Sequence, residues 1–173
     1  MKLHKLVLAM LSIFILAACS SAGIDATNPE QTARSLQSIL GVEGEVEPSL
    51  EEWHMGIRKT YSIDEQSEFF LDKEEEMIEQ INLRNLTKDE VLQVLDDLEF
   101  PDTISFKDML EYTNEELENI TPSMTTQGFT NYQGIGINLK INDPEDLFVQ
   151  SFEIDKPYGM NIVFNEDRFE VFE

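Results

Sequence analysis

The sequence is poor in the residues that most catalytic and metal sites use. Its 173 residues include one cysteine, two histidines and one tryptophan. A single cysteine cannot form a disulfide within the chain. His4 lies in an N-terminal segment that we expect to be removed on export, which leaves His54 for a catalytic triad or a metal site. No nucleophile-elbow motif accompanies His54, so we interpret it as a surface or half-buried residue.

Basic residues are also scarce, with 12 Lys and Arg against 35 Asp and Glu and a formal net charge of −23. Nucleic-acid binding depends on Lys and Arg that release counterions from phosphates, so this composition argues against it. The same charge repels anionic lipid headgroups. It attracts basic proteins, basic peptides or divalent metals, unless it serves only to keep the domain soluble.

The first 18 residues have the pattern of an export signal. Lys2 and Lys5 give a positive start, and an apolar run from Leu6 to Leu16 is interrupted only by Ser12. A bilayer-spanning helix needs about 20 apolar residues, so this run is too short to span. No later segment approaches that length. Removal of the segment makes the net charge more negative by two.

Leu16-Ala17-Ala18-Cys19 resembles the lipobox of bacterial lipoproteins. The resemblance implies that a diacylglyceryl group is attached to the sulfur of Cys19 and that a signal peptidase cuts between Ala18 and Cys19. Acyl chains such as palmitate then anchor the protein at the outer face of the cell membrane, and no free thiol remains. A composition rich in Asn, Ile and Glu favours a Gram-positive source. Residues 19–28 are expected to form a tether, and 29–173 a single domain.

The signal segment has a second resemblance. Its last seven residues are similar to the apolar heptapeptides that some Gram-positive lipoprotein signals release as conjugation pheromones. The similarity implies that the chain is the precursor of a secreted signalling peptide and that the domain has a secondary role. The residues concerned are Ser12, Ile13, Phe14, Ile15, Leu16, Ala17 and Ala18.

Residues 29–120 are predicted to be helical. Asn28 followed by Pro29 is typical of a helix start, and Gly41 of a helix end. A helix is predicted over 64–83 because apolar residues share one helical stripe there. The stretch from Trp53 to Ile63 fits either a helix or a strand. The stripe within 64–83 consists of Phe70, Met77, Ile78 and Ile81.

A capping box of Thr87 with Glu90 begins the clearest helical period, which Pro101 ends. Two further caps, at Ser105 and Thr113, predict short helices. The apolar positions of the capped helix are Val91, Leu92, Leu95 and Leu98.

Residues 126–172 have the apolar period of strands. Strict alternation predicts a strand over Ile135–Ile141, and others are predicted over 147–154, over Met160–Phe164 and over 168–172. Helices followed by consecutive strands predict an α+β fold. We expect N-terminal helices packed on a C-terminal antiparallel meander of about four strands.

Acidic residues supply the candidate sites of the mature chain. Asp143, Glu145 and Asp146 are hard oxygen ligands that suit Ca²⁺. They lack the spaced ligands and central glycine of an EF-hand loop, so a solvated turn is favoured. Glycosidases use two carboxylates about 5–10 Å apart, but no spacing singles out such a pair. A small carboxylate-dependent hydrolase, whose cleft would hold acids of raised pKa, is an alternative.

Tyr132-Gln133-Gly134-Ile135-Gly136-Ile137 resembles the strand entry of PDZ modules in bacterial carboxyl-terminal proteases. The resemblance implies a strand that captures a peptide by adding it to a sheet edge. No protease domain follows, so it implies peptide binding without cleavage. The sequence as a whole favours a membrane-anchored, non-catalytic binding module with no cofactor except its lipid, and with a basic protein or peptide as partner.

The pheromone interpretation predicts that a synthetic peptide spanning Ser12–Ala18 triggers a response in a recipient strain at low concentration. Peptide-induced aggregation or gene expression is the readout, and a scrambled peptide of the same composition is the control. An inactive peptide would remove this function from consideration.

Overall fold

The computed structural model describes residues 23–53, 56–72, 77–100, 108–113, 127–141 and 155–164. The fold is α+β, as the sequence predicts, and the described residues form two helices, one 3₁₀ turn and seven strands. The helices are α1 (Pro29–Leu40) and α2 (Lys88–Asp97), and the 3₁₀ turn is Met109–Glu111. The strands are β1 (Pro48–Trp53), β2 (Gly56–Ser62), β3 (Glu68–Leu71), β4 (Ile78–Leu86), β5 (Gln127–Tyr132), β6 (Ile135–Ile141) and β7 (Tyr158–Phe164).

The seven strands form one antiparallel sheet in the order β1-β2-β3-β4-β7-β6-β5. Strands β1 to β4 are one meander, and β5 to β7 are a second one that runs back towards the first. The two meanders meet where β4 pairs with β7. The expected count of about four strands was too low, because strands begin at Pro48 rather than at residue 126.

The prediction of a helix over 64–83 was wrong, since β3 and most of β4 occupy this stretch. Phe70 lies opposite Gln80, whereas Ile81 lies opposite Phe69. Because paired residues share a face, Phe70 and Ile81 lie on opposite faces of the sheet and not on one stripe. A small number of apolar residues over a short span can fit both the helical and the strand period, so the helical stripe was a coincidence. The ambiguous stretch from Trp53 to Ile63 is a strand for most of its length, in β2.

Both helix starts were predicted correctly. In α1 the Asn28 side chain accepts from the backbone N–H of Gln31 at 3.1 Å, and Gly41 ends the helix with a φ of 64°. In α2 the Thr87 hydroxyl accepts from the N–H of Glu90 at 3.2 Å. The Glu90 carboxylate accepts in return from the N–H of Thr87 at 2.6 Å, which completes the capping box.

The helices and one face of the sheet enclose a single core. The α1 residue Leu36 and the α2 residues Val91 and Val94 are fully buried in it, whereas Leu92 is exposed instead of belonging to the buried stripe. Ser35 of α1 donates to the Asp97 carboxylate at the end of α2, so the two helices are also joined by a polar contact. The sheet contributes Phe69, Leu71, Ile81, Leu83, Ile137, Leu139, Ile141, Met160 and Ile162 to the core.

Part of the stretch predicted to be a tether, residues 19–28, packs against the domain. Ile24 is buried in the core, and the carbonyl of Ala26 accepts from the N–H of Ile78 at 2.8 Å. Near the opposite end of the described chain, the Tyr158 hydroxyl donates to the carbonyl of Met109 at 3.0 Å. Burial raises the pKa of this hydroxyl, which therefore keeps its proton for the bond.

Several predicted elements lie outside the described residues. They are the strands over 147–154 and 168–172 and the short helix that begins after Thr113. The cap at Ser105 is also outside them, but the described end of the helix predicted there is the 3₁₀ turn Met109–Glu111, in which Met109 and Leu110 are buried. The predicted strands at Ile135–Ile141 and Met160–Phe164 are confirmed as β6 and β7.

The capping box gives a direct test of how α2 is fixed. We expect Thr87→Ala to lower the free energy of unfolding by about 1 kcal/mol, because the N–H of Glu90 loses its acceptor. Thr87→Ser keeps the hydroxyl and should stay within a few tenths of a kcal/mol of the parent. Urea unfolding of the full-length chain in a mild detergent measures both. Equal losses from the two substitutions would show that the methyl group, not the cap, stabilises this position.

Candidate interaction surface

The site residues predicted from the signal segment and from the acidic turn lie outside the described residues. They are Ser12, Ile13, Phe14, Ile15, Leu16, Ala17, Ala18 and Cys19, and also His54, Asp143, Glu145 and Asp146. Lipidation, signal cleavage, peptide release and calcium binding at these positions therefore remain predictions.

The PDZ-like segment forms the β5–β6 hairpin. Gln133 and Gly134 have φ values of 49° and 79°, so the turn has positive φ at both central positions, as a two-residue type I′ hairpin turn requires. Strand β6 then pairs with β5 on one side and with β7 on the other. Since both of its edges are occupied, β6 cannot add a peptide in the way that the resemblance implied.

A two-stranded projection at the other side of the sheet is the strongest candidate surface. Only three residues of β2 pair with β3, and they are Thr60, Tyr61 and Ser62. The rest of β2 pairs with β1 alone among the described strands. We call Leu50–Trp53 together with Gly56–Lys59 the distal ribbon. An isolated two-stranded ribbon is marginally stable in water, so this one depends on its base or on a partner.

The distal ribbon carries two large apolar side chains in solvent. Leu50 is 70% exposed and Ile57 is 71% exposed, the highest values among the large apolar side chains that the structure describes. Leu50 lies opposite Lys59, and Glu52 lies opposite Ile57. This register places Leu50 and Ile57 diagonally on one face, within reach of each other. Together they form a small apolar patch flanked by one acidic and one basic residue.

The opposite face of the distal ribbon is joined to the sheet through Arg58. Its guanidinium forms an ion pair with Glu79 of β4 at 2.9 Å. It also lies 4.9 Å from the ring centroid of Phe70 on β3, a cation–π geometry. Arg58 therefore ties the base of the projection to two neighbouring strands. The apolar patch lies on the other face of the ribbon.

Acidic residues precede β1 and occur within it. Glu43, Glu45 and Glu47 are exposed in the loop that leads into β1, and Glu52 is exposed within it. No Lys or Arg occurs between Gly41 and Trp53. The approach to β1 therefore has a concentrated negative potential beside the apolar patch.

Few features of the sequence indicate the distal ribbon. Ile57, Tyr61 and Ile63 recur at even spacing, a strand period that Lys59 interrupts. No Asn-Gly or Asp-Gly pair marks a hairpin between Trp53 and Ile57. Even a correct strand assignment would not have shown the exposure, because it arises from the shortness of β3.

Over the described ranges, no three His, Cys, Asp or Glu side chains come together as metal ligands would. None of the described helices is long and apolar enough to cross a membrane.

Compared with models of known protein families, with curated proteins and with solved structures, the chain has no significant match. Functional inference therefore rests on its own residues.

Proposed function

We propose that this protein is a membrane-tethered, non-catalytic interaction module that binds a basic protein or peptide through the distal ribbon. The lipid on Cys19 would hold it at the outer face of the cell membrane, since each buried CH₂ contributes ~0.8 kcal/mol. The observation that carries the proposal is the exposure of Leu50 and Ile57 on one face of a two-stranded ribbon that extends beyond the pairing with β3.

Scattered apolar side chains are normal on protein surfaces, so exposure alone would carry little weight. Here the two side chains share one face, and that face belongs to a ribbon of marginal intrinsic stability. Fully burying a Leu or Ile side chain contributes ~1.5–3 kcal/mol. A partner that covers both residues would therefore gain affinity and stabilise the ribbon at the same time.

The charge around the patch supports a basic partner. Rim charges chiefly set the association rate and its salt dependence, whereas buried apolar contacts set the dissociation rate. Glu43, Glu45, Glu47 and Glu52 would attract a positively charged segment, and Leu50 and Ile57 would retain it. This division of roles predicts binding that weakens at high salt without being abolished.

The test is capture of envelope proteins by the full-length chain in detergent micelles, at low and high salt. The ribbon variant is Leu50→Thr with Ile57→Thr, because threonine is β-branched and suits a strand. The matched control is Met77→Gln with Leu92→Gln, which removes two other exposed apolar side chains. We expect the parent and the control to capture the same basic protein, and the ribbon variant to lose at least 90% of it.

Both variants should unfold within about 0.5 kcal/mol of the parent, because these side chains are exposed. Equal capture by the ribbon variant, or loss in the control as well, would contradict a role for the distal ribbon. If high salt abolished capture by the parent and by both variants, binding would depend on charge alone and not on the apolar patch.

A further inference from the structure

The outer edge of β1 is open among the described residues. This strand ends the strand order and pairs only with β2. In an antiparallel pair, alternate residues direct their N–H and C=O groups away from the partner strand. Such an edge accepts an extended segment through main-chain hydrogen bonds. Exposed residues extend along β1 and the loop before it, so the edge is accessible from solvent.

We infer that β1 adds an extended basic segment of the partner as a further antiparallel strand, with the sequence basic–basic–apolar opposite Glu52, Glu51 and Leu50. The inference rests on the proposed function and specifies how the partner is held. Strand addition adds directional main-chain bonds to the apolar and charge contacts already described.

The register of β1 determines which residue types fit. Leu50 and Glu52 lie on the face of Ile57, and Glu51 lies on the opposite face, across from Arg58. An apolar side chain opposite Leu50 would extend the apolar patch to three residues. Basic side chains opposite Glu51 and Glu52 would form one opposite-charge pair on each face, and such cross-strand pairs stabilise a ladder.

The glutamates also exclude the commonest unwanted partner of an open edge, which is a second copy of the chain. Pro48 lacks an N–H at the start of β1, and an antiparallel pairing of two copies centred on Glu51 and Glu52 would place these glutamates opposite each other. Like charges directly across a ladder are destabilising, and charged edges prevent self-association. The residues that reject another copy would thus select a basic strand.

The other sheet edge offers no comparable selection. Strand β5, Gln127–Tyr132, contains no charged residue. Its Tyr132 ring makes an edge contact with Phe100, 5.6 Å between centroids, and so belongs partly to the domain's own packing. The charge pattern therefore assigns the basic segment to β1.

The experiment uses a fluorescent peptide, TKKVTVT, and anisotropy with the full-length chain in zwitterionic micelles. Three comparison peptides are used. The first, KTVTVTK, has the same composition with its lysines separated. The other two are TKKVTVT with N-methyl groups on every second amide, one on the amides that would face β1 and the other on the amides that would face away from it. Two charge-reversal variants are compared, Glu51→Lys with Glu52→Lys in β1, and Glu43→Lys with Glu45→Lys in the preceding loop. Both change the net charge equally, so long-range attraction is matched.

We expect TKKVTVT to bind at least fivefold more tightly than KTVTVTK. N-methylation in the phase that faces β1 should weaken binding at least tenfold, and methylation in the other phase should not. The β1 charge reversal should weaken binding at least fivefold more than the loop reversal does. Sedimentation should show the parent as a monomer.

Equal effects of the two N-methyl phases, or of the two charge reversals, would overturn strand addition. Strand addition would also be overturned if TKKVTVT failed to bind while protein capture still depended on Leu50 and Ile57. Each of these results would leave the proposed function standing. Failure of both peptide binding and ribbon-dependent capture would overturn the proposed function itself.

Discussion

The pairing of β4 with β7 is the constraint on which the rest of the structure depends. Ile81 lies opposite Ile162 and Leu83 opposite Met160, and all four side chains are buried. On the other face Asn161 donates to the Asn82 side chain at 2.6 Å, across 79 residues of chain. This non-local contact joins the two meanders into one sheet and completes the floor on which α1 and α2 pack. Such contacts form only after a long loop closes, which makes them slow to fold.

Central pairing also determines where the edges lie. With β4 and β7 in the middle, the first strand of each meander, β1 and β5, lies at the outside. The distal ribbon follows from the shortness of β3, because β2 and β1 continue past the point where β3 ends. Arg58 secures the base of the ribbon against Phe70 and Glu79, and the apolar patch is left in solvent. The candidate surface is thus a consequence of how the sheet is assembled.

Elements that depend on local sequence signals were predicted correctly, whereas features that depend on pairing between distant strands could not be predicted from the sequence. The caps at Asn28 and Thr87 and the alternation in β6 act within a few residues, so α1, α2 and β6 could be predicted. Strands β3 and β4 were mistaken for a helix because their faces are defined by neighbouring strands. The exposure of Leu50 and Ile57 depends on the length of another strand, and no spacing rule encodes that.

The proposed function requires that the distal ribbon, which Arg58 ties to the sheet at its base, opens more easily than the central strands do. Backbone amide hydrogen exchange of the free full-length chain tests it most directly, because protection reports local opening. We expect protected amides of the distal ribbon to exchange at least ~100-fold faster than those of Ile81 and Ile162 in the central strands. Protection in the ribbon equal to that of the central strands would contradict the claim, since it would mean that the ribbon unfolds only with the whole domain.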